Sequence, residues 1–168
     1  MSVARQLFIE EPVEIEVGLG AEAPIERLFD LLDFGSPGNA LRERGFLFLD
    51  EPMGSIGRFR ATDPVRPDVI YSFEVDVCEW PSRIRYETQF ETDDQDGSIE
   101  RSISDYNLTS TGSDTARLHL VETCWMKAGY SRKRQRMEQA MLNLAVREHV
   151  TRLCVHASLG IEEAQRRF

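Results

Sequence analysis

Glu122 lies in a strand-like alternation that would carry a carboxyl group into the protein interior. Leu118, Leu120, Glu122 and Cys124 share one face of this pattern, so Glu122 points inward if the leucines do. Burial disfavours a charged carboxylate and raises its pKa, which is how proteins make a general acid near neutral pH. The alternative is a Glu122 near the end of the strand, where it pairs with a basic side chain.

His149 is the second side chain whose position favours acid-base chemistry. It lies on the apolar side of a long helical pattern, together with Ala145 and His156. With an ordinary pKa of about 6.5, a histidine there can transfer protons or hydrogen-bond a ligand. The alternative is a packed residue whose ring N–H donates to a carbonyl group. His156, nearer the end of the helix, is predicted to be a favourable C-terminal charge or a surface residue.

Tyrosine and methionine side chains extend this pair into a candidate ligand-binding set. Tyrosine combines an apolar ring with a polar tip, which suits a site for amphipathic ligands. Methionine forms adaptable pocket walls, although both residue types are also ordinary core residues. The predicted ligand-binding residues are Tyr71, Phe73, Tyr86, Tyr106, Leu118, Leu120, Met137, Met141, Ala145 and His149.

Motifs of the common cofactor enzymes are absent from the sequence. There is no glycine-rich phosphate loop, no His-Glu-x-x-His zinc motif and no Gly-x-Ser-x-Gly nucleophile elbow. A metal site needs three or four converging ligands, and the chain offers only His119, His149 and His156 as imidazole donors. We therefore expect neither a metal ion nor a cofactor.

The net charge and the spacing of the cysteines exclude several classes of protein. A formal net charge of −9 over 168 residues repels nucleic-acid phosphates and anionic membrane surfaces. Cys78, Cys124 and Cys154 form no Cys-x-x-Cys pair, which favours a reducing compartment over a disulfide framework. Residues 1–11 lack the pattern of a signal peptide, and no apolar stretch is long enough for a membrane span. We expect a cytoplasmic protein that neither binds nucleic acid nor inserts into a membrane.

The length of the chain favours a single domain that comprises residues 1–168. Local sequence signals predict its first elements. Residues 13–19 alternate apolar with polar or small side chains, which predicts the first strand. Pro24 opens a short helix whose apolar residues recur at i, i+3, i+4 and i+7. Asn39 as N-cap and Gly45 as the left-handed residue after the end predict a second short helix.

From Gly45 onward, β-type segments alternate with five turn sequences, which together predict six further strands. The strand predicted at 83–91 carries charge on its outer face, so one side of the sheet is expected to meet solvent. The turns are 50–54, 63–68, 79–82, 93–97 and 110–114. The inner face of the strand predicted at 69–77 carries Val69, Tyr71, Phe73, Val75 and Val77.

A helical period runs from about residue 131 to residue 160. Such a helix is ~45 Å long, whereas seven strands make a sheet ~34 Å across, so we expect the helix to cross the whole sheet. Its apolar side is composed of two neighbouring arcs. One contains Leu142, Val146, Val150, Leu153 and Ala157, and the other contains Met137, Met141, Val155 and Leu159.

The order of these elements and two local motifs resemble a known family. The motifs are the first-helix segment Ala23-Pro24-Ile25-Glu26-Arg27-Leu28-Phe29-Asp30-Leu31-Leu32 and the last hairpin, Thr111-Gly112-Ser113-Asp114-Thr115-Ala116-Arg117-Leu118. Over a core of about residues 11–160, the chain resembles the helix-grip fold of the START-like superfamily, also called SRPBCC. The resemblance implies an α+β fold, in which a seven-stranded curved antiparallel sheet is followed by a long C-terminal helix over its concave face. Two short helices follow the first strand.

Members of this superfamily use the space between the helix and the sheet for lipids, polyketide intermediates, hormones or aromatic metabolites. The resemblance therefore implies a pocket for a small apolar or aromatic ligand, and it supplies no fixed catalytic triad. Three hypotheses follow: a ligand-binding protein, a polyketide cyclase or dehydratase-like enzyme that uses Glu122 and His149 as acid and base, and a protein-interaction module like the chaperone-activating members. A homodimer is compatible with each of them.

Overall fold

A computed structural model describes residues 11–91 and 97–168 of the chain. The turn predicted at 93–97 lies outside the described residues except for Gly97, and residues 1–10 lie outside them as well. The elements are β1 (Val13–Ala21), α1 (Ile25–Leu32), α2 (Ala40–Glu43), β2 (Leu47–Asp50), β3 (Gly57–Thr62), β4 (Ile70–Glu79), β5 (Arg83–Phe90), β6 (Ile99–Gly112), β7 (Thr115–Met126), α3 (Arg132–Leu159) and α4 (Ile161–Arg167).

The strands form one curved antiparallel sheet in the order β1-β7-β6-β5-β4-β3-β2. Each neighbouring pair from β2 to β7 is joined in sequence, and β1 closes the other edge by pairing with β7. Two short helices follow β1, and a long helix follows β7. The predicted α+β helix-grip fold is confirmed.

The two short helices are held together by one side chain, Asn39. Its carbonyl oxygen accepts a hydrogen bond from the backbone N–H of Leu41 at 3.0 Å, which caps α2 as predicted. Its amide nitrogen donates to the backbone carbonyl of Leu31 in α1 at 3.1 Å. Gly45 follows the helix with a φ of 89°, a conformation that glycine adopts without strain. The loop geometry thereby fixes α1 and α2 as one wall beside the sheet.

Strand β4 departs from the predicted alternation at Asp76. The pairing with β5 shifts by one residue between Val75 and Val77, which is the signature of a β-bulge. After the shift, Cys78 lies opposite Ile84 and packs against the core, while Val77 lies opposite Arg85. The prediction that Val77 faces inward was therefore wrong, because one extra residue moves every later side chain to the other face.

Helix α3 begins after Ser131, whose hydroxyl caps it, and continues for 28 residues to Gly160. Its buried residues all lie in its second half, and they are Val146, Val150, Leu153, Cys154 and His156. The first half, residues 132–145, is rich in Arg, Lys, Gln and Glu and contributes no buried side chain. The helical period in the sequence identifies the inward face of α3 but not which of its turns are covered.

Met137 and Met141 are exposed for the same reason. They are 56% and 60% exposed, although they were predicted to form part of a pocket wall. Both lie in the first half of α3, where the neighbouring residues are mainly charged or polar and no layer of side chains closes over them. They lie outside the pockets described below.

A last short helix, α4, was not predicted. It starts directly after Gly160, which has a φ of 91°, and it buries Ala164 completely against the rest of the protein. The carboxylate of Glu163 pairs with the guanidinium groups of Arg166 and Arg167 on its outer side. Within the ranges that the structure describes, no helix is long and apolar enough to cross a membrane.

A substitution at Leu28 tests how strongly the position of α1 beside the sheet depends on core packing. Its side chain is 0% exposed within the main hydrophobic cluster, so truncation leaves a cavity. We expect Leu28→Ala to lower the free energy of unfolding by about 2 to 5 kcal/mol, as measured by urea denaturation. Leu144→Ala is the matched control, because Leu144 is also helical but 67% exposed, and its effect should stay within about 0.5 kcal/mol. Equal effects of the two substitutions would contradict this packing.

Candidate ligand-binding site

Three neighbouring strands place a row of polar side chains on the concave face of the sheet. Tyr86 of β5 lies opposite Ser104 of β6, and Ser104 lies opposite Glu122 of β7. Because side chains alternate along each strand, Ser102 on β6 faces the same side two residues away. The sheet register thus brings together hydroxyl and carboxyl groups from three successive strands.

Glu122 is buried in this row, with 9% of the residue exposed. Burial raises the pKa of its carboxyl group, while hydrogen bonding from the hydroxyls of Ser104 and Ser102 and from the thiol of Cys124 opposes that rise. The thiol of Cys124 lies 3.9 Å from Oε1 of Glu122. Among residues 11–91 and 97–168, no basic side chain forms an ion pair with Glu122, so the alternative predicted for a strand-end glutamate is not observed.

A chain of hydrogen bonds connects the sheet to α3. The hydroxyl of Tyr86 donates to the hydroxyl of Tyr106 over 3.4 Å, and Tyr106 is joined to Nε2 of His149 at 3.0 Å. Burial raises the pKa of Tyr86 to about 12 and also raises that of Tyr106. Both hydroxyls therefore stay protonated at neutral pH and remain available as hydrogen-bond donors.

Burial shifts the pKa of His149 in the opposite direction, because the charged form of histidine is the protonated one. Burial, followed by the guanidinium groups of Arg44 and Arg152, lowers the pKa of His149 to about 4. The ring is neutral at pH 7 and is a weak base, which suits hydrogen bonding better than proton abstraction. Its partner is a tyrosine hydroxyl and not the backbone carbonyl of the packed alternative.

A larger pocket of about 310 Å³ lies between the short helices, the sheet and the second half of α3. Its wall is mainly aromatic and aliphatic, and the ring of Phe34 stacks on that of Phe73 at 4.6 Å and meets Tyr86 edge-on at 4.9 Å. Polar groups from Arg44, Arg152 and other side chains interrupt this apolar wall. Apolar residues of the wall include Leu31, Leu32, Phe34, Phe46, Tyr71 and Phe73.

A smaller pocket of about 250 Å³ adjoins the larger one. Tyr86, Thr88 and His149 line both, so they form the boundary between the two spaces. The smaller pocket contains the polar row, including Ser104 and Glu122. Together the two pockets combine aromatic and aliphatic surface with hydrogen-bonding and charged groups.

His156 lies at the far side of the larger pocket and not on the surface. It is 2% exposed, and its Nε2 contacts the carboxylate of Glu43 at the end of α2. Burial lowers the pKa of His156, while the hydrogen bond and the charge of Glu43 oppose the decrease. The prediction of a terminal or surface charge was wrong, because α2 covers this turn of α3.

The predicted site residues separate into groups according to where the structure places them. Those that line the larger pocket are Tyr71, Phe73, Tyr86 and His149. Those that line the smaller pocket are Tyr86, Tyr106, Leu120, Glu122, Ala145 and His149. Leu118 is 0% exposed in the core and lines neither pocket, and Met137 and Met141 are exposed.

Arg44 and Arg152 were not predicted as site residues, although both line the larger pocket. Arg152 follows His149 by three residues and shares its helical face, a spacing that could have identified it. Arg44 sits between α2 and the left-handed Gly45, where nothing in the local sequence distinguishes it from a surface arginine. In the part of the chain that the structure describes, no group of three or more His, Cys, Asp or Glu residues could hold a metal ion.

Comparison by sequence finds no matching family model and no similar curated protein. Comparison of structures does find similar folds. DynU16, a protein of the dynemicin biosynthetic locus, matches with a TM-score of 0.61 and 17% identity over 90% of this chain. The match covers 49% of DynU16, so the chain spans about half of that protein's length.

Two further matches cover nearly the whole of the other protein. A START superfamily protein from Mycobacterium smegmatis matches with a TM-score of 0.55 and 11% identity, over 83% of this chain and 98% of that one. The Aha1 dimer from Colwellia psychrerythraea gives a TM-score of 0.57 and 13% identity, over 88% and 98%. At these identities the comparisons show the fold, which is START-like.

The lowered pKa of His149 predicts a specific dependence of stability on pH. Between pH 4 and pH 6.5 the unfolded chain binds a proton at His149 that the folded protein does not, so acidification favours unfolding. Between pH 7 and pH 4.5, the free energy of unfolding measured by urea denaturation should fall by about 2 kcal/mol more for the wild type than for His149→Gln. Glutamine keeps a polar group beside Tyr106 without titrating. Parallel pH profiles of the two proteins would show that His149 is not desolvated.

Proposed function

We propose that this protein binds a small apolar or aromatic molecule in the two adjoining pockets between the sheet and α3. The observation that carries the proposal is the larger pocket, whose mainly aromatic and aliphatic wall is interrupted by polar side chains such as Arg44, Asp63 and Arg152. Its volume of about 310 Å³ lies at the lower end of the range usual for small-molecule sites, and the smaller pocket extends it. The START-like fold supports the same interpretation.

The aromatic wall suits a flat ligand. Phe34, Phe73 and Tyr86 all line the larger pocket and pack on one another both stacked and edge-on, which are the two geometries in which an aromatic guest would also pack. At the boundary with the smaller pocket, Tyr106 and His149 offer hydrogen bonds that can fix the orientation of a polar substituent. Apolar area would supply the affinity, and these few polar groups the selectivity.

A catalytic role is a second candidate because of Glu122. Its raised pKa favours the protonated carboxyl group, which can act as a general acid on a polyketide-like or other aromatic precursor. In a dehydration, Glu122 would protonate the departing hydroxyl while a base removes a proton from the adjacent carbon, giving an alkene and water. His149 is the base within this pocket, and its pKa of about 4 makes it a poor one. Binding is therefore the preferred function.

A protein-interaction role is the third candidate and would use outer surfaces. The first half of α3 exposes Met137, Met141 and Leu144, which are apolar side chains available to a partner. The pockets beneath the second half of the helix make an interior ligand the better-supported hypothesis. The cytoplasmic location, the single-domain organisation and the homodimer stay predictions.

Filling the boundary between the pockets tests the binding proposal. Thr88 lines both spaces, so Thr88→Trp should occupy the room that a ligand needs. We expect the wild type to bind the neutral aromatic probe 2-naphthamide, as measured by isothermal titration calorimetry, and Thr88→Trp to lose at least about tenfold in affinity.

The matched control is Thr109→Trp, which adds the same side chain at an exposed position of β6. It should leave the affinity for 2-naphthamide unchanged. Binding that survives Thr88→Trp would place the ligand elsewhere, and a wild type that does not bind the probe would argue against an aromatic-binding pocket.

Glu122→Gln separates a carrier from an enzyme. Glutamine keeps the size and hydrogen-bonding capacity of the side chain but cannot donate an acidic proton. Native mass spectrometry of protein purified from its own host identifies a bound molecule, which is then incubated with the wild type and the variant. We expect both proteins to return it chemically unchanged, with affinities within about threefold of each other. Conversion by the wild type and loss of conversion in the variant would favour the catalytic candidate.

A further inference from the structure

The larger pocket is lined by two arginines, Arg44 and Arg152. Within residues 11–91 and 97–168, neither guanidinium group forms an ion pair or a side-chain hydrogen bond. Several arginines of the sheet, by contrast, are paired with carboxylates, as Arg60 is with Glu91 at 2.6 Å and Arg83 is with Asp105 at 2.8 Å. The positive charge in this pocket is therefore not neutralised by direct ion pairs.

The two guanidinium groups are close enough to influence each other and His149. Burial and the charge of Arg152 both lower the pKa of Arg44, and both arginines contribute to the lowered pKa of His149. Like charges in a partly desolvated space repel each other, and an anion placed between them removes that cost. The electrostatic state of the protein without ligand therefore favours a negatively charged guest.

The carboxylates near this pocket do not already fill that role. Asp63 lines the pocket and raises the pKa of Arg44, but it lies beyond ion-pairing distance. Glu43 is engaged by His156 and by Arg27, whose Nη2 is 3.4 Å from Oε1. With His149 neutral, two guanidinium groups against one carboxylate leave a single net positive charge facing the pocket.

We propose that the ligand is a monocarboxylic acid with an apolar or aromatic body, whose carboxylate is bound by Arg44 and Arg152. This inference rests on the proposed ligand-binding function and specifies the ligand class. Planar guanidinium groups match carboxylate oxygens in pairs of parallel hydrogen bonds, and they come here from two elements, the end of α2 and α3. A group with one negative charge balances the pocket, whereas a phosphate monoester dianion would leave it negative.

The body of the ligand would then lie against the aromatic wall. Arg44 is held over the ring of Phe46, with its Cζ 5.4 Å from the ring centre, and Phe46 also lines the pocket. The charged end and the apolar wall are therefore adjacent. Arg152 lies one helical turn from both His149 and His156, so the acid group would sit close to the polar side of α3.

Two probes that differ only in charge test this inference, 2-naphthoate and 2-naphthamide, with affinity measured by isothermal titration calorimetry at pH 7. The wild type should bind the acid more tightly than the amide. Arg44→Gln and Arg152→Gln should each weaken binding of 2-naphthoate by a factor of about 10 to 100 and change binding of 2-naphthamide by less than about threefold. Arg147→Gln is the matched control, because Arg147 is an exposed arginine of α3 whose Nε donates to Asn143 at 2.8 Å.

The outcomes separate failure of the inference from failure of the proposed function. If the wild type binds both probes equally, or if both glutamine variants keep full affinity for 2-naphthoate, the carboxylate site is overturned while the apolar pocket stands. If the wild type binds neither probe, the proposed function fails and this inference fails with it. Retained binding of 2-naphthamide shows that a variant is folded, and loss of both probes in both variants would overturn a charge-specific role. Arg152→Lys, which keeps the charge, should recover part of the affinity for 2-naphthoate.

Discussion

Packing of the second half of α3 against the sheet is the contact on which the interior of this protein depends. Val146, Val150 and Leu153 join the core formed by α1 and the central strands. Burial of each such side chain contributes about 1.5 to 3 kcal/mol, which is enough to hold the helix across the concave face. Since strand side chains alternate, closing that face also encloses the polar residues that share it. The polar row on β5, β6 and β7 is therefore a direct consequence of where the helix rests.

The enclosed polar groups form hydrogen bonds with one another, and their burial disfavours the charged forms. Among the described residues, no buried side-chain nitrogen or oxygen lacks a hydrogen-bond partner. The same loss of water raises the pKa of Glu122 and lowers that of His149, because in both cases it disfavours the charged form. The smaller pocket thus tends toward neutral hydrogen-bonding groups, while the larger one keeps the cations of Arg44 and Arg152. One cavity system offers two chemical environments.

Local signals in the sequence predict much of this fold but only part of its site. Asn39 and Gly45 identify the ends of α2 because capping and left-handed geometry depend on single residues. Period-two alternation correctly places Leu120 and Glu122 inside, since both belong to one uninterrupted strand. It fails at Val77, where the bulge adds a residue that no local pattern reveals. Arg44 and Arg152 were missed because what distinguishes them is the absence of ion-pair partners among the described residues, and that can be seen only when distant elements are assembled.

The hydrogen-bonded chain from Tyr86 through Tyr106 to His149 begins and ends at side chains that line both pockets, which bears on the length of a ligand. A molecule short enough for the larger pocket leaves the chain intact. A longer one must pass this level, and an apolar segment there would strip buried donors and acceptors of their partners at a cost of about 1 to 3 kcal/mol each. If the pockets bind a ligand as proposed, the hydrogen-bonded chain would therefore favour longer molecules that carry a polar atom at this level over those that are apolar there.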